Sequence, residues 1–168
     1  MPVSPEQLLE SRDKRAAHQK DLLGSFPGKS LLCLTVQLPG PEKRNALSLA
    51  IAHAGVEAVR KAFPLAYEEL RDLETGYEGY FVVPMPPKEA KRLACQIEDT
   101  HPLGRLMDLD VPGFDRASIG LAPRRCLLCG NEVRYCMRAR THSREELLNR
   151  METMVQTYEL QALNPRTD

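Results

Sequence analysis

The sequence predicts an α+β fold in one domain, and three observations carry that prediction. Two apolar runs, residues 31–38 and 80–83, end in proline-rich breaks, and helical periodicity follows each break. A third run, residues 101–111, closes with apolar and acidic residues in alternation, the period of a strand with two unlike faces. The length of 168 residues with 42% hydrophobic content suits one domain, residues 1–168, and is too short to argue for two.

In order, Ser4 followed by Pro5 and by Gln7 reads as an N-cap with a capping box, and Gly24 as the helix stop, so residues 1–24 form an N-terminal helix. Leu8, Leu9, Ala16 and Leu23 are separated by charges. That thin apolar face places the helix on the surface, with no chemistry assigned to it. Residues 31–38 are almost continuously apolar, as in a central strand, with Cys33 in the core. Past Pro39-Gly40-Pro41, the residues Leu47, Ala50, Ile51, Ala54 and Ala58 fall at helical spacing, with His53 a satisfied or surface histidine. Gly76 then turns a hairpin whose second strand holds residues 80–83, and Glu68, Glu69, Asp72, Glu74 and Glu78 mark a solvated edge. Ala90, Leu93, Ala94 and Ile97 give a second helix, whose other face of Lys88, Lys91, Arg92, Glu98 and Asp99 reads as exposed. The succession of strand, helix, strand, strand, helix, strand over residues 30–111 is the ferredoxin-like βαββαβ arrangement, two helices on one face of an antiparallel sheet and the other face open. N- and C-terminal helices flank this core.

Charge steers nothing globally, because Lys plus Arg and Asp plus Glu are both 23. Neither nucleic acid nor a membrane is implied as a partner. No apolar run approaches a membrane span, and Met-Pro-Val-Ser-Pro-Glu lacks the start of a secretory signal, so a cytoplasmic location is expected. Five cysteines, an odd number, argue for reduced thiols or a metal over a disulfide framework.

The candidate chemistry lies in two stretches and one turn. Asp108 and Asp110 share a strand face, and paired carboxylates of that kind suit a divalent cation with oxygen ligands, Mg2+ first. Gly104 allows close approach of a phosphate and Arg105 adds a fixed charge. Cys126, Cys129, Cys136 and His142 offer the four ligands of a structural Zn2+, although only six residues separate Cys129 from Cys136, so zinc and plain reduced thiols both stand open. Arg116, Arg124, Arg125, Arg134, Arg138 and Arg140 face a single acid, Glu132, within residues 116–140, which reads as a polyanion clamp. Ser143 and Glu146 form a capping box that opens a last helix beside His142, Arg140 and Arg138, where free N–H groups and arginines converge on one phosphate position. Lys43 and Arg44 join a turn that feeds a helix N-terminus, either as a weak anion site or as two solvated bases. An acidic metal site with a basic clamp suits phosphoryl or nucleotidyl transfer. A zinc-knuckle RNA-binding module is the alternative from another class, and Tyr135 alone among the arginines counts against base stacking.

These residues resemble the apo-citrate lyase phosphoribosyl-dephospho-CoA transferases, also called holo-citrate-lyase acyl-carrier-protein synthases. The resemblance runs through Pro39-Gly40-Pro41 with Lys43, Thr75-Gly76, Lys91-Arg92-Leu93, Glu98 with His101-Pro102-Leu103-Gly104-Arg105-Leu106, Asp108-Leu109-Asp110-Val111, and Arg125-Cys126-Leu127 through His142-Ser143. Gln37 stands where members tend to have Asn, and residues before Leu31 match poorly. The resemblance implies attachment of the 2'-(5''-triphosphoribosyl)-3'-dephospho-CoA prosthetic group to a serine of the citrate lyase acyl carrier (gamma) subunit, with release of pyrophosphate. A nucleotidyltransferase for another acceptor is the nearest alternative. Within the implied reaction, residue chemistry assigns Asp108 and Asp110 to magnesium, and Arg105 and Lys43 to the polyphosphate. Arg125, Arg138 and Arg140 go to phosphate or to the carrier surface, and one aspartate or His142 serves as base.

Overall fold

The computed structural model describes residues 1–165. Its elements are α1 (Pro5–Ser25), β1 (Ser30–Val36), α2 (Ala46–Ala62), β2 (Tyr67–Leu73), β3 (Gly76–Val83), α3 (Pro87–Thr100), β4 (Met107–Asp110), α4 (Val133–Ala139) and α5 (Arg144–Leu163). The four strands form one antiparallel sheet in the order β2-β3-β1-β4.

Local chemistry starts the long helices. Ser4 and Gln7, Asn45 and Ser48, and Ser143 and Glu146 make three reciprocal capping boxes at the starts of α1, α2 and α5. Each box satisfies N–H groups that the first helical turn leaves without a partner. Gly24 is not the stop of α1, which runs on to Ser25 and caps at Phe26.

Strand alternation gives the sheet two different faces. On the first, Leu32, Leu34, Val36, Phe81, Val83, Met107 and Leu109 pack under α2 and α3, and Met151 and Val155 of α5 join them. Full burial of each large aliphatic or aromatic side chain there contributes about 1.5–3 kcal/mol, and this face is the core. On the second face, Leu31, Cys33, Tyr80 and Val82 meet Leu22 of α1.

That second face is not open, contrary to the expectation from the βαββαβ arrangement, because α1 covers it. Polar contacts fasten α1 across it: Ser11 Oγ to Thr75 Oγ1 at 3.0 Å, Arg15 Nε to Glu78 Oε1 at 3.0 Å, His18 Nε2 with Glu69 Oε2 at 2.8 Å, and Gln19 Nε2 to Cys33 Sγ at 3.3 Å. A scan for apolar spacing does not detect a helix held by its polar side chains.

The outer edge of β4 is closed by side chains instead of another strand. Lys91 Nζ donates to the Leu109 carbonyl at 3.0 Å, Glu98 Oε2 accepts from the Leu109 N–H at 3.1 Å, and Arg124 Nη1 donates to the Met107 carbonyl at 2.9 Å. Lys91 and Glu98 are therefore buried, 5% and 6% exposed, where helical spacing made them surface residues. Closing an edge in this way also removes a template for aggregation.

Residues 101–106 do not extend β4. A 3-10 turn over Gly104–Leu106 precedes it, and a Cβ at Gly104 would lie 2.3 Å from the Ile97 carbonyl oxygen and 2.5 Å from that of Glu98. Gly104 is thus required for the packing of this turn on the end of α3, and it does not open the backbone to a phosphate. Gly104→Ala should lower unfolding free energy by about 2–4 kcal/mol through overpacking and the loss of the turn. Denaturant titration checks this, and a change below about 1 kcal/mol would mean that the turn adapts freely.

Candidate functional site

The β4 carboxylates emerge on the face shared with α1. Asp108 is cross-strand from Thr35 and Asp110 from Cys33, while Thr35 and Cys33 are in turn opposite Glu78 and Tyr80. Directly opposed side chains lie roughly 4.5–5.5 Å apart at Cβ, so a polar row crosses the sheet from Arg71 through Glu78 and Thr35 to Asp108.

Asp110 is exposed and Asp108 is half-buried. One oxygen of Asp108 accepts from Arg124 Nη1 at 2.6 Å. Burial pushes the Asp108 carboxyl above the ordinary range; Arg124 opposes the shift, and the charges of Asp110 and Glu98 add to it.

Arg124 organises this corner. Besides Asp108 it reaches Glu98 Oε2 at 3.3 Å, and its Nη2 donates to the carbonyls of Gly104 and Arg105 at 3.1 and 3.0 Å. Arg116 pairs with Glu98 Oε1 at 3.0 Å and Asp99 Oδ1 at 2.9 Å. Two arginines of the expected clamp therefore turn inward to neutralise a buried carboxylate, and a third, Arg134, pairs with Glu132 at 2.7 Å. Six arginines to one acid was true along the chain but not in space, because the partners come from α3 and β4.

Among the described residues Arg138 and Arg140 have no ion pair, and Arg125 donates to the Gly130 carbonyl at 2.6 Å. Arg105 donates to the Arg125 carbonyl. Burial lowers the Arg105 pKa from its ordinary value, and the neighbouring charge of Arg124 lowers it further.

Beyond the corner, Cys126, Cys129, Cys136 and His142 present one donor atom each, all within 4.8 Å of one another. A tight turn builds this knuckle: Cys126 N–H donates to the Asn131 carbonyl at 2.7 Å and Leu128 N–H points at Cys126 Sγ at 3.4 Å. Cys129 and Cys136 sulfurs are 3.4 Å apart. Ligands about 2.3 Å from one tetrahedral ion lie roughly 3.8 Å from each other, close to this spacing.

His142 Nε2 is buried with no hydrogen-bond partner, an arrangement that a metal bond would resolve. The Cys129 thiol is lowered to about 6, first by the Asn131 backbone and then by His142 and Cys136, a shift that favours the thiolate a metal binds. These donors fit a structural metal. Beside them lies a cavity of about 530 Å³ with an apolar wall of Leu127, Val133, Met137 and Leu147 and a basic rim of Arg105, Arg140 and Arg144.

A third feature joins Lys43 to residues of α1 and β1. A cavity of about 130 Å³ opens between α1 and the end of β1, lined by Arg12, Arg15, Thr35, Gln37, Lys43 and Gly76 among others. Lys43 Nζ donates to the Leu38 carbonyl at 2.6 Å. Its pKa is depressed by burial and then by the nearby Arg12 and Arg144.

The model of the apo-citrate lyase phosphoribosyl-dephospho-CoA transferases matches residues 3–158. The chain belongs to this family. A curated member from Escherichia coli O1:K1 / APEC is 37% identical over 163 residues, 91% of this chain and 88% of the relative. A probable member from Streptococcus pyogenes serotype M3 is 32% identical, covering 93% of this chain and 87% of the relative. The protein CitXG of Haemophilus influenzae is 34% identical over 94% of this chain, which spans 36% of that longer protein.

As a member of this transferase family the chain carries α1 inside the matched region, so the helix set aside by its weak resemblance is part of the shared unit. Arg44, one of the two bases at the α2 turn, is taken up by a bidentate pair with Asp72 at 2.7 and 2.8 Å, which leaves Lys43. Thr35 and Arg12 line the cavity between α1 and β1 and Arg144 lies near Lys43, three residues that the sequence did not single out. Each is unremarkable in its own segment and gains meaning only from its neighbours. No helix of the described residues is long and apolar enough to cross a membrane.

If the knuckle holds zinc, metal analysis of the purified protein should give one equivalent, and a chelator should lower the thermal midpoint by several degrees. Metal-free protein with an unchanged midpoint would leave the cysteines as core thiols.

Proposed function

We propose that this transferase joins the 2'-(5''-triphosphoribosyl)-3'-dephospho-CoA group to a serine of the citrate lyase acyl carrier subunit. The serine Oγ forms a bond to the α-phosphorus of the donor. The bond from that phosphorus to the oxygen bridging to the β-phosphate breaks, pyrophosphate leaves, and the serine proton passes to a protein carboxylate. One observation carries this reading: the carboxylates of Asp108 and Asp110 stand on the same sheet face as Thr35, and Thr35 lines the cavity with Lys43. The names of the relatives support the substrate and the acceptor class.

Asp108 keeps one carboxylate oxygen free of Arg124, and Asp110 has no protein partner among the described residues, so the pair fits a divalent cation. Bound there, Mg2+ would neutralise charge on the reacting phosphate. Glu98 does not compete for it, since its oxygens are spent on Leu109, Arg116 and Arg124. His142 faces the cysteine sulfurs, which leaves the aspartates as candidates to take the serine proton.

Lys43 and Arg105 are assigned to the polyphosphate, and Arg125, Arg138 and Arg140 to phosphate or the carrier. Zinc is assigned to the knuckle as a structural ion, and the five unpaired thiols suit the reducing cytoplasm. The ferredoxin-like reading of the βαββαβ core is supported by the strand order β2-β3-β1-β4.

Incubation of the protein with donor, magnesium and apo-carrier should yield carrier of increased mass and one pyrophosphate per transfer. Absence of product with an authentic carrier overturns the reading. Asp108→Asn and Asp110→Asn should each reduce turnover by about two orders of magnitude or more. The sign for stability follows from the raised Asp108 pKa. Folding disfavours its ionised form, so the stability lost to that charge grows as pH rises above the unfolded value, and the Asn variant should melt at the same or a higher temperature at pH 8.

Carrier recognition has its own test. Arg138→Gln, at an exposed and unpaired arginine of α4, should raise the carrier's apparent KM severalfold and flatten its dependence on salt, with the donor's KM unchanged. An effect confined to the donor would move the carrier surface elsewhere.

A further inference from the structure

We propose that the cavity between α1 and the end of β1 is the subsite for the two phosphates that leave as pyrophosphate, gripped by Arg12 of α1, Lys43 of the Pro39–Arg44 turn and Arg144 at the start of α5. This inference rests on the transfer reaction above and gives its leaving group a place.

Three segments distant in sequence bring these cations together. Arg12 and Lys43 line the cavity, and Arg12 and Arg144 both act on the Lys43 ammonium. Among the described residues neither Arg12 nor Arg144 forms an ion pair, whereas Arg15, Arg44, Arg60, Arg71, Arg116, Arg124 and Arg134 all do. Arg92, Arg105, Arg125, Arg138, Arg140 and Arg150 also form none among the described residues, and what sets Arg12 and Arg144 apart is their place beside Lys43. Three neighbouring cations left without a carboxylate repel each other and hold an unneutralised positive field, which a polyanion would satisfy.

The surroundings keep these charges in place. Gly40 sits at φ +92°, a conformation that side chains rarely adopt, and a Cβ there would lie 2.8 Å from Arg144 Nε and 2.9 Å from its Cδ. The Pro39-Gly40-Pro41 turn therefore forms a bare floor over which the Arg144 side chain crosses. Lys43 is tied to the Leu38 carbonyl at 2.6 Å, which fixes its ammonium at the end of β1. Guanidinium groups are suited to bidentate contact with phosphate, and the ammonium acts as a point charge between them.

Size and position point to the same ligand. The cavity volume of about 130 Å³ is the room of about four waters, the scale of a pyrophosphate. Thr35 forms part of its wall and stands cross-strand from Asp108, so phosphates seated there extend toward the carboxylate pair. Arg144 lines the larger apolar cavity by the knuckle and reaches the smaller one only from its edge, across Gly40 and beside Lys43.

Calorimetric titration of inorganic pyrophosphate into the full chain, in magnesium-free buffer, tests the site independently of catalysis. Arg12→Gln and Arg144→Gln should each weaken binding at least roughly tenfold, and Arg12→Lys should restore part of it. Lys20→Gln, which removes an exposed charge from the same helix away from the cavity, should leave the affinity unchanged. Arg12 is exposed, so its variants should keep the wild-type thermal midpoint. Equal losses for Arg12→Gln and Lys20→Gln, or no loss for Arg12→Gln, would overturn the inference, as would a loss seen only with Arg140→Gln. The transfer assay separates the two readings. Pyrophosphate binding that depends on Arg12, in a protein that transfers nothing to an authentic carrier, keeps the subsite and removes the reaction. Normal transfer with the donor KM unmoved by Arg12→Gln keeps the reaction and removes the subsite.

Discussion

The buried carboxylate of Glu98 is the constraint on which the rest of the structure depends. An ionised group only 6% exposed costs several kcal/mol unless charge and hydrogen bonds compensate it. The compensation comes from far along the chain, from Arg116, Arg124 and the Leu109 N–H. In meeting that demand Arg124 also fastens the Gly104 turn, closes the edge of β4 and restrains Asp108. One buried acid thus couples α3, β4 and the segment that leads into the knuckle, and the placement of the candidate catalytic aspartate follows from it.

The sheet divides its work between two faces. One is apolar and supplies the core under α2, α3 and α5. The other carries Glu78, Tyr80, Thr35 and Asp108, and α1 lies across it on polar contacts. Such contacts are individually worth about 0.5–1.5 kcal/mol. They nonetheless direct Arg12 and Arg15 to the end of β1, where apolar packing alone would have fixed no orientation. A helix with little core to contribute can in this way place charge at a site.

The knuckle follows a different logic, since most of its geometry is local. Cys126 and Cys129 are set by a tight turn, and His142 directly precedes the N-cap of α5. Its surroundings are less local. Arg105 arrives from the turn before β4 and Arg144 from the first residue of α5, where Arg144 lines the knuckle cavity and also lies against Gly40 beside Lys43.

The sequence by itself determined what depends on near neighbours in the chain. The capping boxes at Ser4 and Ser143, the antiparallel hairpin at Gly76, the alternation that sends Asp108 and Asp110 to one face, and the convergence of three cysteines and a histidine were legible, because helix starts, turns and strand faces are set within a few residues. The resemblance to its family was legible for a related reason, since motif order and spacing lie along the chain. Only the tertiary structure decided which charges are used up. Lys91 and Glu98 read as surface yet cap a strand edge; Arg116 and Arg124 read as a phosphate clamp yet neutralise a buried acid; the N-terminal helix was assigned no chemistry, yet its Arg12 stands beside Lys43. Electrostatic partners act through space over a few ångströms whatever their separation in sequence. A charge count along the chain therefore cannot distinguish an arginine with a carboxylate from one that is free to bind a ligand.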